Sequence, residues 1–133
     1  MTVKCFNFVG HIRCEFVNDD VVSDESDAYL VSSAFILKDS FSVVLLYFVT
    51  SPDIAVELLI VSQQSEQVLQ RHSLSRQKNM LYTSIANTTE PIFLVVHAYL
   101  SRSITTSSSS SVVIMATYLI PDSQGQSAIN LCY

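Results

Sequence analysis

Glycine is almost missing from this chain, with only Gly10 and Gly125 among 133 residues. Glycine-rich loops that cradle phosphates are thereby excluded. The nucleophile elbow G-x-S-x-G is absent as well, so no serine is set up for attack in the way an α/β-hydrolase requires. Charge is scarce: 14% of residues are charged, Lys and Arg number seven, and the net charge is −5. Scattered bases on an acidic chain argue against binding a phosphate backbone, so no nucleic-acid partner is expected. No C-x-x-C, H-x-H or H-x-x-x-H spacing occurs, and His11, His72 and His97 lie far apart. No metal motif and no cofactor follow from such a pattern. The longest apolar region, residues 41–61, is broken by Ser51-Pro52-Asp53 and by Glu57. Neither half reaches the roughly 20 residues that span a bilayer, and no direct membrane insertion is expected. A helical period is missing too, since the best candidate, residues 62–77, is too polar to bury a stripe.

Apolar matter is abundant. Hydrophobic residues make up 49% of the chain, far too much for it to remain disordered. Val, Ile, Phe and Tyr favour pleated, half-buried surfaces, and the length suits one domain, residues 1–133. Apolar segments recur between polar breaks and predict nine strands: residues 3–9, 12–17, 28–37, 41–49, 54–61, 68–74, 80–86, 92–100 and 112–120. Gly10 joins the first two, which can form a hairpin. Ser51-Pro52-Asp53 is a turn signal, and Pro91 is tolerated where it opens a strand. Residues 105–111 form a serine and threonine loop, and 121–133 a turn-rich ending. The expected fold is all-β: two antiparallel sheets packed as a sandwich, with jelly-roll or Greek-key connections.

Few residues carry candidate chemistry. In the segment Val56-Glu57-Leu58-Leu59-Ile60, Glu57 stands opposite the apolar face and must find water or a partner. His97 sits mid-strand among apolar neighbours and reads as a packed or hydrogen-bonded core histidine, not a catalytic base. Asp19, Asp20, Asp24, Glu25 and Asp27 read as a solvated loop. Their oxygens are of the kind calcium takes, but the alternating ligands and glycine of an EF-hand loop are lacking, so calcium is possible, not indicated. Asn87-Thr88-Thr89 is a glycosylation sequon in a polar stretch, making Asn87 a candidate acceptor and hinting at secretion. Three thiols, Cys5, Cys14 and Cys132, cannot all pair within one chain. Cys5 and Cys14 are close enough in sequence for a small loop or two neighbouring strands.

Several stretches in order resemble a MAM domain, the extracellular jelly-roll module named after meprin, neuropilin and receptor tyrosine phosphatases. Cys5-Phe6-Asn7-Phe8 and Cys14-Glu15-Phe16-Val17-Asn18-Asp19 are similar to that family's opening. Tyr29-Leu30-Val31-Ser32-Ser33 looks like its leucine-serine segment, and residues 41–48 stand in place of its core strand. Val56 to Val61, Val68-Leu69, Met80-Leu81-Tyr82 and Phe93 to Ala98 follow its rhythm of strands. Ile114-Met115-Ala116-Thr117-Tyr118-Leu119, with Cys132 beyond, is similar to its last strand and closing cysteine. The resemblance covers nearly the whole chain. It implies a Cys5–Cys14 disulfide and a protein-binding role on the cell surface. Departures are the absence of tryptophan, the loss of the family's third cysteine, and Thr117-Tyr118 in place of paired acids. They leave Cys132 a free or intermolecular thiol and carry no cation site over.

The expectation is therefore a non-catalytic extracellular interaction or adhesion module, binding a protein partner or itself. The first ten residues lack a basic start followed by an apolar core, so the segment is expected to belong to a larger precursor. Two other readings are an intracellular or viral structural sandwich that assembles through its sheets, and a carbohydrate- or lipid-binding jelly roll.

Overall fold

A computed structural model describes residues 2–8, 11–17, 27–37, 39–50, 52, 54–86, 88–100, 110–122 and 129–130. These form ten strands and no helix: β1 (Thr2–Phe8), β2 (His11–Val17), β3 (Asp27–Val31), β4 (Phe41–Val49), β5 (Ile54–Ser62), β6 (Val68–Ser73), β7 (Met80–Ile85), β8 (Ile92–Leu100), β9 (Ser110–Pro121) and β10 (Ile129–Asn130). One sheet runs β1-β2-β9-β4-β7, with β10 also on β9, and the other runs β3-β8-β5-β6. Every pairing is antiparallel. From β2 onwards the chain changes sheet at each connection except β5 to β6 and β9 to β10. The interleaved orders β2-β9-β4-β7 and β3-β8-β5-β6 are those of a jelly roll, which answers the expected sandwich.

Period-two alternation decides what lies between the sheets. Phe16, Val43, Leu45, Tyr47, Ile114 and Leu119 from the first sheet meet Leu58, Ile60, Ile92, Leu94 and Val96 from the second in one buried cluster. β5 and β8, central in their sheet, are apolar on both faces because the outer face also buries Leu59, Val61 and Val95. Such double burial explains why both strands read as nearly continuous apolar runs.

Two boundaries differ from expectation by more than one residue. The strand expected over residues 28–37 ends at Val31, although the chain stays tied to β8. Ser32 N–H donates to the Leu94 carbonyl at 2.9 Å, and Leu94 N–H donates to the Ser32 hydroxyl rather than to a carbonyl, also at 2.9 Å. A serine side chain thus replaces one rung of the ladder. Phe35 then bridges Ile92, one residue later than the β3 register would bring it. At the other end, β9 begins at Ser110, inside the expected serine loop, because Ser110 pairs with Val17 beyond a β-bulge.

Candidate functional site

The early hairpin brings Cys5 and Cys14 directly opposite each other in register. They are joined by a disulfide, with Cα atoms 4.1 Å apart. Cys14 is fully buried beside Phe16, whereas Cys5 is exposed. Asn87 and Cys132 lie outside the described residues. Next to Asn87, Thr88 is tied down, its N–H donating to the Leu37 carbonyl and its hydroxyl accepting from Leu37 N–H. Asp19, Asp20, Asp24 and Glu25 also lie outside the described residues; Asp27 opens β3.

On the outer face of the β3-β8-β5-β6 sheet, register lines up Tyr29, His97, Glu57 and Ser73 across all four strands. Val31, Val95, Leu59 and Arg71 make the next row. Glu57 is the organising residue, because a carboxylate only 8% exposed must be fully bonded. Arg71 Nη1 donates to both of its oxygens, at 3.0 and 2.9 Å, and His97 Nδ1 lies 3.1 Å from Oε1. His97 Nε2 lies 3.2 Å from Asp27 Oδ2. Tyr29 stacks flat on the imidazole, ring centres 4.2 Å apart, and Tyr99 tilts against it from the same strand. The Tyr29 phenol is pushed above its ordinary value, first by desolvation and then by the neighbouring Asp27 and Glu57 carboxylates.

Glu57 thus finds the partners its sequence position demanded. His97 is hydrogen-bonded, as read, but it stands on the outer face of the sandwich, not between the sheets. Both ring nitrogens are held by carboxylates, so neither is left to activate a hydroxyl or thiol. The arrangement clasps four strands together. Among the described residues, no three His, Cys, Asp or Glu side chains gather as metal ligands. Nor is any helix there long and apolar enough to cross a membrane.

The outer face of the other sheet has a different character. At its β1-β2 side it is charged: Lys4 pairs in register with Glu15, and Arg13 makes an ion pair with Glu15 at 3.8 Å. Towards β4 and β7 it turns apolar. Register sets Val113 beside Phe48, Ala116 beside Leu46 and then Met80, and Tyr118 beside Val44 and then Tyr82. Phe48 is 45% exposed, Met80 51% and Tyr82 60%, with Ile120 exposed at the end of the same face. Single exposed apolar residues are ordinary on a surface; here several share one sheet face. Sequence reading missed this patch, although Phe48, Met80 and Tyr82 each stand at the alternate position of an otherwise apolar strand. What it could not supply was the neighbour relation of β4, β7 and β9.

No known family model matches the chain, and no curated protein is significantly similar to it.

Proposed function

We propose that this domain is a non-catalytic extracellular interaction or adhesion module of the MAM type, which binds a protein partner through the outer face of the β1-β2-β9-β4-β7 sheet. The observation that carries the reading is the contiguous exposed patch of Phe48, Met80, Tyr82 and Ile120 on one sheet face. Aromatic side chains and Met are enriched where proteins meet, the aromatic rings because they bury large areas at little cost in rotamer entropy. Support also comes from the jelly-roll strand order and from the Cys5–Cys14 bond, the pairing that the resemblance implies. A stable disulfide suits an oxidising compartment.

The test presents the secreted, disulfide-bonded domain as a fluorescent multimer to a panel of eukaryotic cells. Protease-sensitive surface staining is expected, and it falls sharply with Phe48→Lys, a substitution at an exposed site that leaves the core intact. Absence of staining across the panel, or equal staining by Phe48→Lys, overturns the reading. A comparison of reduced and unreduced mass accompanies it: Cys5 and Cys14 found as free thiols in the secreted protein would remove its residue-level support.

A further inference from the structure

Each sheet of a sandwich ends in strands whose outward backbone groups are open to pairing. Among the described residues those strands are β1 and β7 in one sheet, besides β10, which is only two residues long, and β3 and β6 in the other. Three of them carry charge: Lys4 on β1, Asp27 on β3, and Arg71 with His72 on β6. β6 is also bulged between Ile60 and Val61 of its partner strand. Charges and bulges are the devices by which natural sheets guard their edges. β7, with the sequence Met-Leu-Tyr-Thr-Ser-Ile, has neither charge, proline nor glycine, and pairs with β4 without any register shift.

The groups that β7 offers follow from the ladder. Tyr47 N–H donates to the Asn79 carbonyl at 2.9 Å, so these two residues form a hydrogen-bonded pair in the β4-β7 register. Alternation then turns the N–H and C=O of Leu81, Thr83 and Ile85 towards β4, and those of Met80, Tyr82 and Ser84 away from it. Gln70 Nε2, reaching the Ser84 carbonyl at 3.4 Å from β6, agrees with that assignment.

We propose that β7 pairs antiparallel with β7 of a second copy of this chain, about a two-fold axis through Tyr82, joining two sheets into one continuous sheet. This register sets Tyr82 opposite Tyr82, and Met80 opposite Ser84 of the second copy, with both hydrogen bonds made in each pair. It also keeps outward side chains opposite outward ones, as a continuous sheet requires. Two-fold symmetry is what makes the absence of charge decisive. A strand paired with itself at its own centre sets like residues opposite or diagonal, and like charges there are destabilising. On β7, Lys78 falls beside Ala86 of the second copy and never beside itself. The same pairing makes the exposed patches of Met80 and Tyr82 continuous across the axis. Only the long Gln70–Ser84 contact has to be released. Because the interface is isologous, pairing consumes the open edge and the assembly stops at two.

The inference rests on the reading of the domain as an interaction module and names its partner as a second copy. Sedimentation velocity from micromolar to millimolar protein is expected to show a monomer–dimer equilibrium. Tyr82→Lys, which opposes two ammonium groups at the axis, weakens it by about tenfold or more, and Ile36→Lys, at an exposed position after β3, leaves it unchanged. Amide hydrogen exchange reads the edge itself: the N–H groups of Met80, Tyr82 and Ser84 gain protection as the dimer fills. A monomer at every concentration overturns the inference, as does growth beyond the dimer. So does a dimer in which Tyr82→Lys has no effect or those three amides stay unprotected. A monomeric protein that still stains cells in a Phe48-dependent way would sink the dimer and leave the module reading standing.

Discussion

Tyr47 stands at the inner end of β4 with 1% of its surface exposed, and its phenol donates to the Ser75 carbonyl at 3.0 Å. A buried hydroxyl needs such a partner, and the Ser75 carbonyl, in the loop after β6, also accepts from Lys78 N–H at 3.2 Å. Burial pushes the Tyr47 phenol above its ordinary value. The folded chain therefore holds this proton more tightly than the unfolded chain does. Its contribution to stability is complete below the unfolded value, about 10, and is lost as pH rises through the folded value. Tyr47→Phe is expected to cost about 1 kcal/mol at neutral pH, because the Ser75 carbonyl keeps only the longer bond from Lys78 N–H, at 3.2 Å. The difference should shrink as pH climbs above about 10, where only the wild type still has a Tyr47 proton to lose. Urea midpoints of the two proteins across the alkaline range measure it, and a gap constant with pH would show that the buried phenol does not titrate during unfolding. Tyr29 is present in both proteins and cancels.

At the scale of strands, the clasp on the β3-β8-β5-β6 sheet acts as a unit because Glu57 is shared. Arg71→Ala leaves Glu57 bonded to His97, and since the Arg71 side chain is 60% exposed the expected cost is about 0.5–1 kcal/mol. His97→Ala leaves Glu57 bonded to Arg71 but frees Asp27 and Tyr29 on the edge strand β3, at about 1–2 kcal/mol. The double variant strands a buried carboxylate with neither partner. It should lose more than the sum by about 1 kcal/mol or more. A double-mutant cycle from chemical unfolding reads this coupling; strict additivity would mean that the three side chains hold β5 independently. The individual strands were legible in the sequence, because alternation and turn residues are local. β4, β5 and β8 begin where expected, and the apolar runs of β5 and β8 follow from burial on both faces. The clasp was half legible. Glu57 announced a need for a partner, yet Arg71 and His97 lie 14 and 40 residues away, and nothing local says which strands become neighbours. The early end of β3 escaped for a different reason: a serine hydroxyl takes the place of a backbone carbonyl, and no periodicity encodes that exchange.

For the whole molecule, crossing between sheets at nearly every connection means that the core closes only when distant segments meet. β2 and β9 are neighbours although almost a hundred residues separate Cys14 from Ile114. Against that long-range economy the Cys5–Cys14 bond is a local device. It closes a small loop, and the chain-entropy account assigns such a closure about 2–3 kcal/mol. Its effect concentrates on β1, because β2 is held independently: Cys14 and Phe16 are fully buried against Ile114 and Val112. β1 pairs with β2 alone, and among its described side chains Val3 packs partly buried against the core. Exposed Cys5 gives a reductant access to the bond without unfolding the core. Reduction, or the pair Cys5→Ser at the exposed end and Cys14→Ala at the buried one, is therefore expected to lower global stability by about 2–3 kcal/mol while the sandwich persists. Amide exchange of β1 should accelerate well before that of β4, β5 or β8. Urea unfolding with and without reductant, paired with residue-resolved exchange, measures both parts. Loss of the entire fold on reduction would mean that β1 supports the core far more than its place at the sheet edge implies. An unchanged midpoint would mean that the bond adds nothing the β1-β2 ladder does not already supply.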